Sequence, residues 1–187
     1  MLYPKLRTYT FAKDGIAVII DADASHGVSQ LTWWQLRGIF NGSYTKWSDI
    51  GGSTNDKIVV MGRDSASGTR ASFEEILELK DDDDYANFKT SIQDYNSNGG
   101  VHNAVAANPN AIGYLGLGFL DSSVKVVAIS SKDDLSNFTT PTIENIKAGI
   151  YPISRNLYMI TNGKAEYKVQ AFIDFVLSNK GQKIVEK

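Results

Sequence analysis

The sequence has 187 residues, which is enough for one ordinary domain or two small lobes. Apolar residues make up 42% and charged residues 21%, so the composition is that of a folded protein rather than a disordered one. The 19 basic and 21 acidic side chains give a formal charge of -2. This balance argues against a nucleic-acid partner held by a basic field, and no apolar run approaches the roughly 20 residues that span a bilayer.

Cysteine is absent, which excludes disulfides, thiolate metal sites and cysteine nucleophiles. The two histidines, His26 and His102, lie in polar stretches and are expected at the surface, so we expect no metal site and no cofactor. The first residues, Met1–Arg7, hold neither an apolar signal core nor a cysteine for a lipid anchor. If the protein acts outside the cytoplasm, its targeting segment is therefore missing from this sequence.

Short apolar runs alternate with amphipathic segments along the chain. The first half predicts, in order, a strand over 15–20, a helix over 33–40, a strand over 58–61, a helix over 68–79, a solvated acidic loop at 81–84 and a helix over 85–92. The second half predicts a loop at 96–100, a helix over 101–107, strands over 111–116 and 124–129, a helix over 142–147, a strand over 156–161 and a helix over 168–177. This alternation predicts an α/β fold with mostly parallel sheets.

The segment Arg63–Thr69 combines residue types that bind an anion. It follows a predicted buried strand and runs into the start of a predicted helix, where free N–H groups and the helix dipole favour negative charge. Ser67 and Thr69 add hydroxyl donors, and Arg63 adds a fork of donors suited to a tetrahedral oxyanion or a carboxylate. We expect Asp64 to steady the guanidinium by pairing with it.

The residues alone leave a second interpretation open, in which Ser67 only caps the helix and Arg63 is an ordinary surface residue. The segment is not a phosphate-binding loop of the Walker A type, because Thr69 rather than lysine follows Gly68. It is not a nucleophile elbow either, because the sequence contains no Gly-x-Ser-x-Gly. No catalytic residues are therefore expected.

Motifs along nearly the whole chain follow one another in a specific order and spacing. They are Asp14–Ile20, Leu31-Thr32, Gln35-Leu36, Ile39–Gly42, Lys46–Gly52, Gly62-Arg63, Ser67–Arg70, Ala111–Gly116, Pro141-Thr142, Tyr151–Arg155, Phe175–Ser178 and Gly181-Gln182. In this order they resemble the phosphate-binding proteins of bacterial ABC-type phosphate uptake systems, which have a type II periplasmic-binding-protein fold. The single motifs are weak, and the order is what makes the resemblance specific.

The resemblance implies a binding protein and not an enzyme. Such a protein captures inorganic phosphate in a cleft between two lobes outside the cytoplasm and delivers it to a membrane permease. The phosphate-contacting residues that it implies are Arg63, Ser67, Gly68 and Thr69, with Asp64 and Ser65 as supporting candidates.

The resemblance also implies a division into lobes joined by two crossing strands. Residues 1–20 are then a remnant of the first lobe and a crossing strand, 21–116 the complete second, ligand-binding lobe, and 117–187 the C-terminal part of the first lobe. Family members carry an earlier stretch that supplies serine or threonine ligands and an aspartate that accepts the phosphate proton. Only 13 residues precede Asp14 here, so we expect a truncated first lobe.

The truncation has two expected consequences. Without the proton acceptor, the chain alone should discriminate phosphate from sulfate poorly. The partial lobe should expose apolar faces at 124–129 and 169–176, which predicts a homodimer, a swapped partner or poor solubility.

Two alternatives to phosphate uptake stay open. A truncated lobe could serve as an interaction or assembly module, and the site could take another tetrahedral oxyanion. A phosphoryl-transfer enzyme is disfavoured, because that chemistry needs a metal or a general base beside the anion.

Overall fold

The computed structural model describes residues 5–80, 83, 85 and 89–185. The strands in this part of the chain are β1 (Leu6–Asp21), β2 (Gln30–Leu31), β3 (Val59–Arg63), β4 (Gln93–Tyr95), β5 (Ala111–Gly116), β6 (Val124–Val126), β7 (Ala128–Ser130), β8 (Phe138–Thr139) and β9 (Ser154–Asn162). The helices with described bounds are α1 (Trp33–Phe40), α2 (Gly68–Ile76), α3 (Asn98–Ala106), α4 (Ile143–Ala148), α5 (Tyr167–Leu177) and α6 (Asn179–Val185). None of the described helices is long and apolar enough to cross a membrane.

The chain forms two compact units. The sheet unit comprises residues 15–154, and the terminal unit comprises residues 5–14 and 155–185 of the described chain. The lobe boundaries expected after residues 20 and 116 concern the whole family fold and stay a prediction.

The main sheet has the strand order β4-β3-β5-β1-β6. β3 is parallel to both β4 and β5, whereas β1 is antiparallel to β5 and β6. A smaller sheet has the order β2-β7-β8, with β2 parallel to β7 and β8 antiparallel to it. The sheets are thus mixed, and the prediction of mostly parallel sheets is wrong. A strand buried on both faces shows the same apolar run whichever way its neighbours point, so the pattern did not reveal strand direction.

Both faces of the main sheet are buried, which explains the unbroken apolar run from Ile16 to Ile20. Ile16, Val18 and Ile20 join one core cluster, while Ala17 and Ile19 join another. Successive side chains of a strand point to opposite faces, so this alternation assigns one cluster to each face of the sheet. The larger cluster also contains the buried side of α1, and the smaller one contains the buried side of α3.

Two of the predicted helices form with their expected caps. The Thr32 hydroxyl accepts from the Gln35 N–H, and the Gln35 side chain accepts from the Thr32 N–H, which makes a capping box at the start of α1. The Thr142 hydroxyl accepts from the Asn145 N–H and so caps α4 by a single bond. Glycine in the left-handed conformation follows each helix closely, with φ of 82° at Gly42 and 73° at Gly149.

Several predicted boundaries are wrong. Of the helix predicted over 85–92, residues 86–88 lie outside the described residues, as do Asp81, Asp82 and Asp84 of the acidic run. Tyr85 is helical, Lys89–Ser91 form a 3₁₀ turn, and β4 begins at Gln93. The exposed residue Asp83 is helical. α2 ends at Ile76, three residues early, and the run 124–129 divides into β6 and β7. α3 begins at Asn98 and not at Val101, because Ser97 caps it by accepting from the Gly100 N–H.

The terminal unit contains the first part of β1 (residues 6–14), nearly all of β9, and α5 and α6. Arg155 pairs with Asp14 at 3.0 Å, and the Gln182 amide donates to the carbonyl of Phe11 at 3.0 Å. On α5 only Ile173 is buried, whereas Phe172 is 61% exposed. The expected exposed apolar face at 169–176 is therefore confirmed. The expected exposed face at 124–129 is wrong, because Val124, Val127 and Ile129 pack into the two cores.

Candidate functional site

The segment Arg63–Thr69 joins the end of β3 to the start of α2. The Ser67 N–H donates to the Asp64 carbonyl at 3.1 Å, which closes a turn between strand and helix. The Ser67 hydroxyl then accepts from the Arg70 N–H at 3.2 Å and so caps the helix. Because this hydroxyl accepts from the backbone, its own proton stays available to donate to a ligand.

Arg63 is buried at this turn, with 9% of its surface exposed. Its Nε donates to the Tyr95 carbonyl at 3.3 Å, its Nη2 to the Asn96 carbonyl at 3.4 Å, and its Nη1 to the Asn98 side-chain oxygen. All three acceptors are neutral, and the guanidinium has five N–H donors in total. The charge of Arg63 is therefore not compensated by these contacts, and donors remain for a ligand.

A second helix begins beside the first. In the parallel pair β3–β4, Arg63 lies opposite Tyr95, so both strands end at the same edge of the sheet. α3 starts three residues after Tyr95, with Ser97 as its cap and Asn98 as its first residue. Two helix N-termini and one buried guanidinium thus meet at the carboxyl ends of two parallel strands, the region where α/β folds bind ligands.

Arg70 lies behind the site and is held by carboxylates. Its Nε donates to Glu74 at 2.6 Å, and its Nη1 donates to Asp94 at 2.8 Å and to the Arg63 carbonyl at 2.7 Å. Burial lowers the pKa of Arg70, but the hydrogen bond to Glu74 and the charges of Tyr85, Glu74 and Asp94 raise it by more. Arg70 therefore stays charged and fixes the backbone that carries Arg63.

Aromatic side chains pack next to the end of β3. The Arg63 N–H donates to the Tyr114 hydroxyl at 3.4 Å, and the Tyr114 ring stacks on Phe73 of α2 with centroids 4.0 Å apart. Burial raises the pKa of Tyr114, so its hydroxyl keeps its proton at neutral pH. The contact connects β3 and β5 to the first turns of α2 and leaves this part of the site little room to move.

The structure places the predicted site residues unevenly. Ser67 and Thr69 are buried beside Arg63, whereas Gly68 and Ser65 are exposed. Within the described part of the chain, neither the N–H nor the hydroxyl of Thr69 is hydrogen bonded. These positions are compatible with an anion at the start of α2, and the binding role of each residue stays a prediction.

The predicted pair of Asp64 with Arg63 does not form. Among the described residues, the Arg63 guanidinium contacts only neutral oxygens, and Asp64 is half-buried without an ion pair. The Asp64 N–H donates to the Tyr95 carbonyl at 3.0 Å, which directs the backbone along β4. The long side chain of Arg63 instead reaches α3 across the edge of the sheet.

Asn98 is the residue that the sequence analysis missed. The run Asn98-Gly99-Gly100 has the composition of a turn and so predicts a loop. Its helical signal was Ser97, which has the same role before Asn98 that Ser67 has before Gly68. Two serine caps after two neighbouring strands would have indicated the second half of the site.

Both histidines are buried, so the expectation that they lie at the surface is wrong. The His26 ring stacks on Trp47 with centroids 3.5 Å apart, and burial lowers the pKa of His26. His102 on α3 approaches Asp121 at 3.0 Å. The residues that the structure describes contain no cluster of three or more histidine or carboxylate groups arranged to hold a metal.

A surface cavity of about 540 Å³ lies elsewhere in the sheet unit. Its lining is mostly apolar and includes Ile20, Val28 and Val124, with Asp121 and Lys125 as charged members. Ile20 pairs with Ile112, which pairs in turn with Val60 near the start of β3. The cavity therefore lies toward the end of the strands opposite to Arg63, which is the last residue of β3. Its lining contains none of the residues predicted to bind the anion.

The sequence matches the PBP superfamily domain over residues 4–180. The chain belongs to the PBP superfamily. This PBP-superfamily chain is 36% identical over 181 residues to the phosphate-binding protein PstS of Borreliella burgdorferi, and the match covers 95% of the chain and 62% of that protein. The chain therefore spans less than two thirds of the length of this relative.

Solved structures agree with the superfamily assignment. An ABC-type phosphate transport receptor from Vibrio cholerae superimposes with a TM-score of 0.82 at 32% identity, covering 98% of this chain and 71% of the receptor. A Clostridium perfringens protein solved with bound phosphate gives a TM-score of 0.77 at 33% identity, covering 97% of this chain and 69% of that one. The resemblance and the α/β periplasmic-binding-protein fold predicted from sequence are confirmed.

Proposed function

We propose that this chain is the solute-binding component of an ABC-type importer. It captures inorganic phosphate outside the cytoplasm and delivers it to the membrane permease. The observation that carries this proposal is the buried Arg63 guanidinium beside the N-terminus of α2, whose hydrogen-bond acceptors in the described part of the chain are all neutral oxygens. A tetrahedral oxyanion fits this arrangement, because it accepts from a guanidinium fork and from helix N–H groups together. The names of the similar proteins support phosphate as the ligand.

A binding role explains the local chemistry better than catalysis does. Phosphoryl transfer needs a base or a metal beside the anion. Glu74 and Asp94 are engaged by Arg70 at 2.6 and 2.8 Å and hold the framework of the site. Asp64, on the turn itself, is a single carboxylate, and the described residues hold no cluster of three or more groups arranged for a metal.

The site should accept other tetrahedral oxyanions besides phosphate. Arg63, Ser67 and Thr69 offer donors, and a site made of donors does not distinguish a protonated phosphate from sulfate. Discrimination against sulfate requires an acceptor for the phosphate proton, because an unprotonated oxyanion then faces a second negative charge. The chain alone should therefore bind both anions.

Isothermal titration with phosphate and then with sulfate tests the proposal. We expect both anions to bind with an affinity that falls as salt is added, and we expect Arg63→Ala to abolish most of it. Lys125→Ala is the control, because it removes one positive charge from an exposed position of the same unit. Phosphate binding that is unchanged in Arg63→Ala would contradict the site assignment. No binding by the parent chain would favour an interaction module.

The exposed apolar surface of the terminal unit favours a second property, self-association. Large apolar side chains lie open on β9 and α5, among them Ile160 (61% exposed), Tyr167 (89%) and Phe172. Within the described ranges β9 pairs only with β1, so an edge of this ribbon is available for pairing. We propose that a second copy of the chain covers this surface, because a twofold axis would bring identical apolar faces and strand edges together.

Light scattering coupled to size-exclusion chromatography tests self-association. The parent chain should elute as a dimer, and Phe172→Ser combined with Ile160→Thr should shift it to the monomer. Phe119→Ser is the control, because Phe119 is also more than half exposed (52%) but belongs to the sheet unit. A parent chain that is monomeric at all concentrations would contradict the dimer.

A further inference from the structure

Two buried arginines at this site have opposite electrostatic surroundings. Arg70 donates to two carboxylates, those of Glu74 and Asp94. Arg63, whose backbone carbonyl Arg70 holds at 2.7 Å, donates to two backbone carbonyls and to the amide oxygen of Asn98. Among the residues that the structure describes, two carboxylates thus contact Arg70, and none contacts the guanidinium of Arg63.

Asn98 has the one side chain among the three acceptors of Arg63, so it is the acceptor that substitution can change. Its position as the first residue of α3 is fixed by the Ser97 cap and by the pairing of β4 with β3. An aspartate there would keep an acceptor oxygen at the same place and would suit the helix dipole. It would also place a carboxylate on the guanidinium. We therefore expect the fold to accept asparagine or aspartate at position 98, whereas aspartate would reduce the positive charge of the site.

We infer that Asn98 is a positioning residue that holds the Arg63 guanidinium through a neutral oxygen and thereby sets the site for a doubly charged oxyanion. This inference rests on the proposed function, since it names the charge state that the same site selects. A neutral acceptor fixes the direction of the guanidinium without reducing its charge. The full charge then faces the ligand, and a dianion gains more from it than a monoanion does.

Other titratable groups lie on the elements around Arg63, and within the described ranges none of them forms an ion pair with it. They are Asp64 on its own segment, Arg70 and Glu74 on α2, Asp94 and Tyr95 on β4, Tyr114 on β5, and His102 on α3. Glu74 and Asp94 are engaged by Arg70, and His102 approaches Asp121. Asp64 is the remaining carboxylate, and it forms no ion pair within the described residues.

The test is Asn98→Asp, measured by titration with phosphate across the pH range of its second ionisation. In the parent chain the affinity should rise as phosphate becomes a dianion. In Asn98→Asp the affinity for the dianion should fall by roughly 10- to 100-fold, and the rise with pH should disappear. Sulfate, which is a dianion throughout this range, should bind the variant more weakly at every pH.

Asn55→Asp is the matched control, because Asn55 is exposed and also uses its side-chain oxygen as an acceptor, from Ser48 at 3.0 Å. It makes the same chemical change away from the site and should leave the phosphate affinity and its pH profile unchanged. Asn98→Ala is the second variant. It removes the acceptor without adding charge, so it should weaken binding while the affinity still rises with pH.

Stability separates this role from a merely structural one. Because Asn98→Asp adds a favourable ion pair and suits the helix start, its melting temperature should equal or exceed that of the parent. Lower affinity together with unchanged or higher stability supports the inference. Parent-like affinity and pH profile in Asn98→Asp overturn it while leaving the proposed function intact. No anion binding by the parent chain would instead contradict the proposed function itself.

Discussion

The guanidinium of Arg70 donates a hydrogen bond of 2.7 Å to the backbone carbonyl of Arg63. One buried arginine thus holds the main chain of another, and the carboxylates of Glu74 and Asp94 hold the first. The two arginines therefore have different roles at this end of the strands. Arg70 fixes the backbone of the site, and Arg63 supplies the positive charge for the proposed anion.

Substitution of Arg70 should therefore lower the free energy of unfolding. Arg70→Met removes the charged donor from two carboxylates and one carbonyl and leaves Glu74, among the described residues, with the Tyr85 hydroxyl alone, so we expect the free energy of unfolding to fall by about 3–5 kcal/mol. Lys80→Met is the control, because it breaks the exposed pair with Glu75 and should cost no more than about 1 kcal/mol. Urea denaturation measures both values. Equal losses in the two variants would show that the Arg70 network does not stabilise the fold.

Ser67 should affect stability and binding together. Ser67→Ala removes the cap of α2, which should cost about 1 kcal/mol of unfolding free energy. It also removes a hydroxyl that faces the proposed ligand, so the phosphate affinity should fall by about tenfold or more. Thr142→Ala removes the comparable cap of α4 and should cost similar stability with no loss of affinity. If Ser67→Ala binds phosphate as tightly as Thr142→Ala does, Ser67 only caps the helix and does not contact the ligand.

Gly113 allows α3 to pack closely on the sheet. A Cβ there would lie 2.9 Å from side-chain carbons of Val101 and Val105, so Gly113→Ala should lower the unfolding free energy by about 1–3 kcal/mol. Gly118→Ala is the control, because nothing lies within 4 Å of its added Cβ. Thermal denaturation compares the two. A Gly113→Ala variant as stable as the control would show that α3 adjusts freely, against the fixed placement of Asn98.

His26 should make stability depend on pH. Burial lowers its pKa in the folded state below the ordinary value of 6.5, so the unfolded chain takes up the proton first as the pH falls. The contribution of His26 is present in full above pH 6.5 and is lost progressively as the pH falls below it. Urea denaturation at several pH values measures the slope. His26→Asn, whose side-chain oxygen replaces the ring nitrogen that accepts from the Val28 N–H, should reduce that slope. An unchanged slope would contradict the assignment.

The sequence was sufficient for the features that depend on neighbouring residues. The strand that ends at Arg63, the serine that caps the next helix and the capping box at Thr32 each need only a few adjacent positions. The order of such motifs also identified the superfamily, which the matches confirm.

Features that depend on tertiary contact could not be predicted. Asp64 is adjacent to Arg63 in sequence, but the guanidinium extends to Asn98, because pairing of β3 with β4 brings α3 to the same edge. β4 is a three-residue polar strand that carries no apolar periodicity and forms by pairing with β3. His26 is buried because its ring stacks on Trp47, and nothing in its polar sequence neighbours indicates that partner.

The most direct test of the central claim is a phosphate titration followed by ¹⁵N–¹H NMR of the whole chain. We expect the amide signals of Gly68 and Thr69 and the side-chain Nε–H signal of Arg63 to shift together and to saturate. The Gly163 amide, which donates to Lys5 in the terminal unit, should stay in place. Shifts confined to residues away from the start of α2, or no saturable shifts at all, would contradict an anion site built on Arg63.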